Sequence, residues 1–230
     1  MARPALILFD IDGTLLLSGR AGLRAMNRTF HDVFGKADAF GGTHFGGRTD
    51  SFLVSWALQQ AGLPDTREHH HTFREKYLVN LAEEILHPGQ GHYGLMPGAR
   101  ELLEALDQFD ELHLALLTGN YREAAQIKLS HFEIDHFFEW GAFSDDSSDR
   151  NALVPIARNR AETYDIPPGA LERTIVIGDT PHDIDCAKAA DAECIAVATG
   201  GFTVDQLREA GAVKVVENLE DTEALIKLIS

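Results

Sequence analysis

The sequence predicts an α/β fold: a parallel sheet covered by helices on both faces, with a helical segment inserted after the first strand. Short apolar runs alternate with helical patterns from residue 97 onward, and such alternation is typical of a parallel sheet. Another apolar run lies at residues 6–9, and helical spacing follows it up to residue 86. The 230 residues are therefore expected to form a core, residues 1–16 and 94–230, and an insert, residues 17–93.

The first apolar run is expected to be a strand that is buried on both faces of the sheet. It ends at two carboxylates, Asp10 and Asp12, which Gly13 and Thr14 follow. Open α/β sheets bind their ligands at the carboxyl ends of their strands. Because the chain turns at Gly13, both carboxylates can point to one place, and we expect them to share Mg²⁺ with a phosphate group.

Three helices are expected in the insert. Ser18 is expected to cap the first and Asp50 the second, and the third is expected to span residues 66–86. Loose links rich in glycine or proline are expected at residues 35–48 and 87–97.

Strands and helices alternate after the insert. Strands are expected at residues 112–117, 137–143, 174–177, 194–198 and 213–216. Helices are expected at residues 98–109, 121–130, 151–164, 183–190 and 204–210, with a last helix near the C-terminus. Polar clusters follow three of the apolar runs and begin at Asp10, Thr118 and Asp179. Strand ends of one sense share an edge of a parallel sheet, so we expect these clusters to converge.

The residues at these strand ends suit phosphoryl transfer, which needs positioning and charge neutralisation. Asp10 is the candidate nucleophile, because an ionised carboxylate can form an acyl phosphate. Asp12 is the candidate that protonates the leaving group and then accepts a proton from water.

Two further clusters are candidates for binding the phosphate and the metal ion. The Thr118 hydroxyl and the amides of Gly119 and Asn120 open a helix and are candidates for binding the phosphate. Asp179 and Asp183 share one face of a helix start and are candidates to complete the Mg²⁺ shell.

Arg150 is the candidate cation for the phosphate and the nucleophile, since it follows an acidic run between two predicted strands. Each candidate has a plainer alternative. Arg150 also fits a surface ion pair, residues 118–120 fit an ordinary turn before a helix, and residues 178–181 fit a helix cap with proline near the first position.

Three segments together resemble signature motifs of the haloacid dehalogenase superfamily of hydrolases. They are Phe-Asp-Ile-Asp-Gly-Thr-Leu at residues 9–15, Leu-Thr-Gly-Asn at residues 117–120 and Gly-Asp-Thr-Pro-His-Asp at residues 178–183. The insert is similar to the small helical cap of phosphoglycolate phosphatases and β-phosphoglucomutases. The resemblance implies a Rossmann-like parallel sheet core with an inserted α-helical cap domain, Mg²⁺ and an aspartyl-phosphate intermediate. It also implies that Asp10 and Asp179 bind the metal through side chains and Asp12 through its backbone carbonyl.

The chain departs from the superfamily pattern at one position. The superfamily usually has a lysine some two dozen residues ahead of the segment that resembles residues 178–183, and Arg150 stands in that region here, with Arg158 as the alternative. Residues 46–50 are similar to a cap loop that faces the active site in relatives, so Arg48 is a candidate for binding a distal anion or hydroxyl of the substrate. The alternative is an exposed arginine beside a helix cap.

Composition narrows the class of protein further. The formal net charge of −16 argues against nucleic acid or an anionic membrane surface as a partner. Only two cysteines are present, which favours a reducing, cytoplasmic location, and neither a signal peptide nor a membrane span is evident.

These observations predict a Mg²⁺-dependent phosphatase that acts on a small phosphorylated metabolite of the phosphoglycolate or sugar phosphate class. Two alternatives stay open: a phosphomutase similar to β-phosphoglucomutase, and a catalytically idle binding module on the same scaffold. The oligomeric state is left open.

Overall fold

The computed structural model describes residues 3–41 and 46–229. Within these residues, the main sheet contains six parallel strands in the order β5-β4-β1-β6-β7-β8. Its strands are β1 (Ala5–Phe9), β4 (Leu112–Leu117), β5 (Gly141–Ala142), β6 (Thr174–Gly178), β7 (Glu193–Val197) and β8 (Lys214–Val216). A Rossmann-like parallel core is therefore confirmed.

The first strand lies in the centre of this sheet, between β4 and β6. All five of its residues are buried. Ile7 and Phe9 pack into the hydrophobic cluster on one face, whereas Leu6 and Leu8 pack into the cluster on the other. This burial on both faces explains the unbroken apolar run, since neither side of the strand contacts water.

Helices cover both faces of the sheet and also form the insert. The helices of the insert are α1 (Ala21–Phe34), α2 (Asp50–Gln60) and α3 (Arg67–Glu84). Those of the core are α4 (Ala99–Leu106), α5 (Arg122–His131), α6 (Leu153–Ala161), α7 (Pro168–Leu171), α8 (Pro181–Ala189), α9 (Val204–Glu209) and α10 (Thr222–Ile229).

Two expected boundaries in the core are wrong. The expected strand at residues 137–143 is reduced to β5, and a 3₁₀ turn, Asp135–Phe137, precedes it. The expected helix at residues 151–164 contains α6 between two 3₁₀ turns, Arg150–Ala152 and Glu162–Tyr164.

A two-stranded antiparallel ribbon, β2 (Leu16–Ser18) with β3 (Tyr93–Leu95), joins the core to the insert. The expected domain boundaries at residues 16/17 and 93/94 fall inside this ribbon. The prediction that Ser18 caps the first helix is wrong, because Ser18 pairs with Tyr93. Instead α1 follows Arg20, whose φ of 63° is left-handed.

Aromatic side chains form the hydrophobic core of the insert, with Phe30, Phe40, Phe73 and Tyr77 all buried. Phe30 on α1 packs edge-on against Phe73 on α3 at 6.2 Å between ring centroids. Such contacts supply the apolar burial that holds α1 against α3.

The start of α2 is also corrected by the structure. Thr49, not Asp50, caps α2, since its Oγ1 accepts a hydrogen bond from the Phe52 amide at 3.3 Å. The expected link at residues 35–48 includes residues 42–45, which lie outside the described residues.

The insert packs against the core through α5 and the loops beside it. Tyr121 and Ala124 extend the aromatic cluster of the insert into the core. Arg74 on α3 forms ion pairs with Asp145 at 3.1 Å and with Glu123 at 2.5 Å. The insert therefore covers the carboxyl edge of the sheet.

Among the described residues, no helix combines the length and the apolar character that crossing a bilayer requires.

Candidate active site

Polar residues that follow three neighbouring strands lie at one edge of the main sheet. Asp10 follows β1, Thr118 follows β4 and Asp179 follows β6, and these strands are adjacent in the sheet. A cavity of about 220 Å³ lies between this edge and the insert, and Asp10, Asp12 and Thr118 line it. Parallel pairing therefore brings together side chains that are far apart in sequence.

Three buried carboxylates lie close together at this edge. Single oxygens of Asp10, Asp179 and Asp183 all lie within 4.8 Å of one another. Burial raises the pKa of Asp10 to about 6; Arg150 opposes the rise and Asp183 adds to it. Burial likewise raises the pKa of Asp179 well above its usual range, and the charges of Asp10 and Asp183 raise it further. Crowded carboxylates are the hard oxygen ligands that a divalent cation prefers, so this donor set fits one.

The Asp179 carboxylate occupies a recess that requires glycine on two sides. A Cβ atom at Gly13 or at Gly200 would overlap with Asp179 Oδ2. Gly13 also has a φ of 91°, which side chains rarely allow. Thr14 Oγ1 donates a hydrogen bond to Asp179 Oδ1 at 3.0 Å. The Gly-Thr pair after the first strand therefore fixes the orientation of the carboxylate that follows β6.

Arg150 lies inside the carboxylate cluster, with 7% of its side chain exposed. Its Nη2 is 3.2 Å from Asp10 Oδ1 and 2.5 Å from Asp183 Oδ1. Within the described part of the chain, Arg150 Nε is a buried N–H group without a hydrogen-bond partner. The surface ion pair considered as the alternative does not match this burial.

Arg158, the alternative to Arg150, lies at the opposite end of the sheet. Its Nε donates to Thr174 Oγ1 at 2.8 Å, and Thr174 is the first residue of β6, whereas the cluster lies beyond the last. The Arg158 guanidinium also donates to the carbonyl of Ala190 at 2.6 Å. These contacts tie α6 to the sheet, so of the two candidates it is Arg150 that lies beside Asp10.

Both carboxylate oxygens of Asp183 already accept hydrogen bonds. Oδ1 faces Arg150, and Oδ2 accepts from the Thr180 amide at 3.0 Å and from Thr180 Oγ1 at 2.7 Å. Asp183 therefore holds Arg150 beside the nucleophile candidate as well as lying near the metal donor set. The sequence suggested either a helix cap or part of an acidic cluster for residues 178–183, and this segment forms both.

Residues 118–120 form a buried turn that touches the insert. The backbone N–H of Asn120 donates to Thr118 Oγ1 at 3.3 Å, and its side-chain Nδ2 donates to the same oxygen at 2.8 Å. The backbone amides of Gly119 and Asn120 are the candidates for binding the phosphate, and that of Asn120 already has a hydrogen-bond partner. The Gly119 carbonyl accepts a hydrogen bond from the Asp50 amide at 2.7 Å. A Cβ atom at Gly119 would overlap with the Arg48 backbone, so the glycine allows the insert to approach.

Arg48 lies on the insert at the rim of the cavity. Its guanidinium carbon lies 4.6 Å from the centroid of the Phe52 ring, a cation–π arrangement. A Cβ atom at the neighbouring Gly47 would overlap with Thr180 Oγ1. The loop thus reaches the polar segment after β6 and presents a positive charge beside the cavity.

Asp12 contacts a lysine that the sequence analysis did not identify. Lys128 Nζ donates to Asp12 Oδ1 at 2.8 Å, to Asp12 Oδ2 at 2.6 Å and to Asn120 Oδ1 at 2.7 Å. Asn120 Nδ2 also donates to Asp12 Oδ2 at 2.8 Å. The sequence carries one signal for this lysine: Lys128 stands four residues after Ala124 on the buried stripe of α5, where a charge needs a partner.

Comparison with known proteins identifies the family. The sequence profile of the haloacid dehalogenase-like hydrolases matches residues 7–197. The chain belongs to this family. A phosphoglycolate phosphatase of Mesorhizobium japonicum is 28% identical to this hydrolase over 225 residues, 96% of this chain and 93% of that protein. The tyrosine-protein kinase PtkA of Mycobacterium tuberculosis (strain H37Rv) is 26% identical over 226 residues, 90% of this chain and 72% of that protein.

A solved structure has the same fold as nearly the whole chain. The crystal structure of a hydrolase from Pseudomonas syringae matches with a TM-score of 0.72 at 24% identity, and the match covers 99% of this chain and 100% of that one. The likeness therefore includes the insert as well as the sheet. In this haloacid dehalogenase-like hydrolase, the three motif segments meet at the carboxyl edge that the insert covers.

Proposed function

We propose that this hydrolase is a Mg²⁺-dependent phosphatase that acts on a small phosphorylated metabolite of the phosphoglycolate or sugar phosphate class. The observation that carries the proposal is the contact of Arg150 with Asp10, 3.2 Å apart, beside two further buried carboxylates at the base of a covered cavity. The candidate nucleophile, the candidate cation for the phosphate and the candidate metal ligands therefore lie close together, which supports the proposal. The name of the Mesorhizobium relative supports the substrate class.

In the proposed reaction, Asp10 and Asp12 carry out the two bond changes. An Asp10 carboxylate oxygen attacks phosphorus, the ester P–O bond breaks, and Asp12 gives a proton to the departing oxygen. Water then attacks the phosphoryl group on Asp10 and gives a proton to Asp12. The bond from phosphorus to Asp10 breaks, so Asp10 is again a carboxylate and Asp12 again carries the proton with which the cycle began.

The remaining residues hold the phosphate and neutralise charge. Arg150 binds a phosphate oxygen through its guanidinium group, and the Thr118 hydroxyl and the Gly119 amide bind others. Asp10 and Asp179 would hold Mg²⁺ with their side chains, Asp12 with its backbone carbonyl and Asp183 at the edge of the donor set. When bound, Mg²⁺ supplies positive charge to the phosphate oxygens.

The covered cavity favours small esters over large ones. Pockets for drug-sized ligands usually measure about 300–1,000 Å³, and this cavity of about 220 Å³ is smaller. Arg48 at its rim is the proposed contact for an anion or hydroxyl at the far end of the substrate. An insert that closes over the ester also excludes bulk water from the reaction.

The proposal includes a reducing, cytoplasmic compartment, which the free thiols of Cys186 and Cys194 support. It includes no nucleic acid or membrane partner, because the net charge of −16 repels both.

Hydrolysis of 4-nitrophenyl phosphate tests the proposal. We expect activity with Mg²⁺, loss of activity with EDTA, and a loss of at least about 1,000-fold in Asp10→Asn, since the nucleophile is removed. The matched control is Asp185→Asn, an exposed aspartate on α8, which should keep full activity. A wild-type protein without activity, or Asp10→Asn with equal activity, would favour a binding module instead.

A panel of metabolite phosphates then separates the hydrolase from the mutase. A phosphatase releases one inorganic phosphate for each ester consumed. Conversion of a sugar phosphate to its isomer without release of phosphate would contradict the proposal.

A further inference from the structure

Lys128 is a buried lysine whose ammonium group donates hydrogen bonds to two residues that line the cavity. Only 5% of its side chain is exposed, and its three short contacts go to both oxygens of Asp12 and to Asn120 Oδ1. An ammonium group has three N–H donors, so none is left for a substrate. Lys128 therefore acts on Asp12 and Asn120 and not on a ligand directly.

The position of Lys128 on α5 is unusual for a lysine that serves only stability. A cation is favoured in the last turn of a helix, but this benefit is also obtained on the surface. Burial of an ammonium group costs free energy that its partners must offset. The Lys128 side chain instead points into the core, where it meets the partly exposed Asp12 carboxylate, 39% of which faces solvent.

Asp12 is thus held from two directions by α5 and the turn before it. Lys128 bridges its two oxygens, and Asn120 Nδ2 donates to Oδ2 at 2.8 Å. Lys128 also fixes Asn120 itself through Oδ1. Two donor residues that contact one another and one carboxylate restrict the rotation of that carboxylate about its last bond.

We infer that Lys128 is a positioning residue, which with Asn120 holds the Asp12 carboxylate in the orientation that serves the leaving group. The inference rests on the proposed function, in which Asp12 transfers the proton. A carboxylate held in place spends more of its time in the position from which it transfers the proton. Displacement of a reacting group by about 1 Å can lower the rate about 100-fold.

The test compares two esters of similar shape that differ in how strongly their hydrolysis depends on protonation of the leaving group by Asp12. Phenyl phosphate has a poor leaving group, whereas 4-nitrophenyl phosphate has a good one. We expect Lys128→Met to lower kcat/KM for phenyl phosphate at least about 10-fold more than for 4-nitrophenyl phosphate. In an Asp12→Asn background, Lys128→Met should change neither value by more than about 2-fold, because its target is gone.

Controls separate this role from a structural one. Lys76→Met removes a lysine from an exposed ion pair of the insert with Asp32, at 3.7 Å, and should leave both esters unaffected. Lys128→Gln retains one donor pair and should show the same discrimination to a smaller degree; it replaces Lys128→Met if that variant does not fold. Equal losses for both esters, or an undiminished loss in the Asp12→Asn background, would overturn the inference alone. A wild-type enzyme inactive on both esters would overturn the proposed function and the inference with it.

Discussion

Asp50 is buried where the insert meets the core, and its ionisation should lower the stability of the fold. Burial raises its pKa to about 7, although the charge of Lys128 and the hydrogen bond from the Tyr121 amide both act in the opposite direction. The ordinary value is 3.8. Between these values the folded protein keeps a proton that the unfolded chain has lost, so the free energy of unfolding falls as pH rises. At 1.36 kcal/mol for each pKa unit, the loss approaches about 4 kcal/mol.

Asp50→Asn removes this titration and keeps an oxygen that can accept from the Tyr121 amide at 2.8 Å. We expect the variant to gain stability over the wild type from pH 4 to pH 8, by up to about 4 kcal/mol. Urea denaturation in EDTA at several pH values measures the free energy of unfolding of both proteins. Groups that titrate alike in the variant and the wild type cancel in the difference between the two values. The control is again Asp185→Asn. A difference between Asp50→Asn and wild type that is constant over this pH range would refute the reasoning.

Two further predictions use paired variants. Gly200→Ala should lower phosphatase activity about 100-fold and raise the Mg²⁺ concentration for half-maximal activity, because the new Cβ atom displaces Asp179. The control is Gly201→Ala, which adds a Cβ atom in open space and should change neither measurement. Arg74→Gln removes the ion pairs between insert and core and should raise KM about 2- to 5-fold at low salt and less at high salt. Arg28→Gln, whose ion pairs lie within the insert, should leave KM unchanged.

The sheet could be predicted from the sequence because its strands carry continuous apolar runs. Residues 6–9 and 174–177 are buried throughout, and their apolar character needs no knowledge of their neighbours. The ribbon of β2 and β3 could not be predicted in this way. Each of its strands has three residues, too few for a period to show, and their pairing joins distant parts of the chain.

The cations of the site show what a motif search leaves out. Arg150 could be found because it stands near the position where the superfamily pattern, as the resemblance implies, has a lysine. Its burial could not be predicted, because the acidic residues before it are typical of an exposed loop. Lys128 could not be found in this way, because it lies on an expected helix but in none of the three motif segments. Its contact with Asp12 spans 116 residues of sequence and depends on how α5 packs under the insert. The only local signal was a charge among buried alanines, which many surface helices also show at their edges.

The balance of charge at the site leads to a last prediction. Three carboxylates and one cation meet in the buried cluster: Asp10, Asp179, Asp183 and Arg150. With all four groups ionised, two negative charges remain without a partner, which matches the charge of one divalent cation and is consistent with the raised pKa of Asp10 and Asp179. Mg²⁺ binding should therefore release protons below about pH 6, where Asp10 is largely protonated, and Mg²⁺ affinity should rise with pH until Asp10 is ionised. Calorimetry in buffers of different ionisation enthalpy measures the protons released. Mg²⁺ binding with no proton release at pH 5.5 would show that Asp10 is already ionised in the free protein, and the balance of charge described here would be wrong.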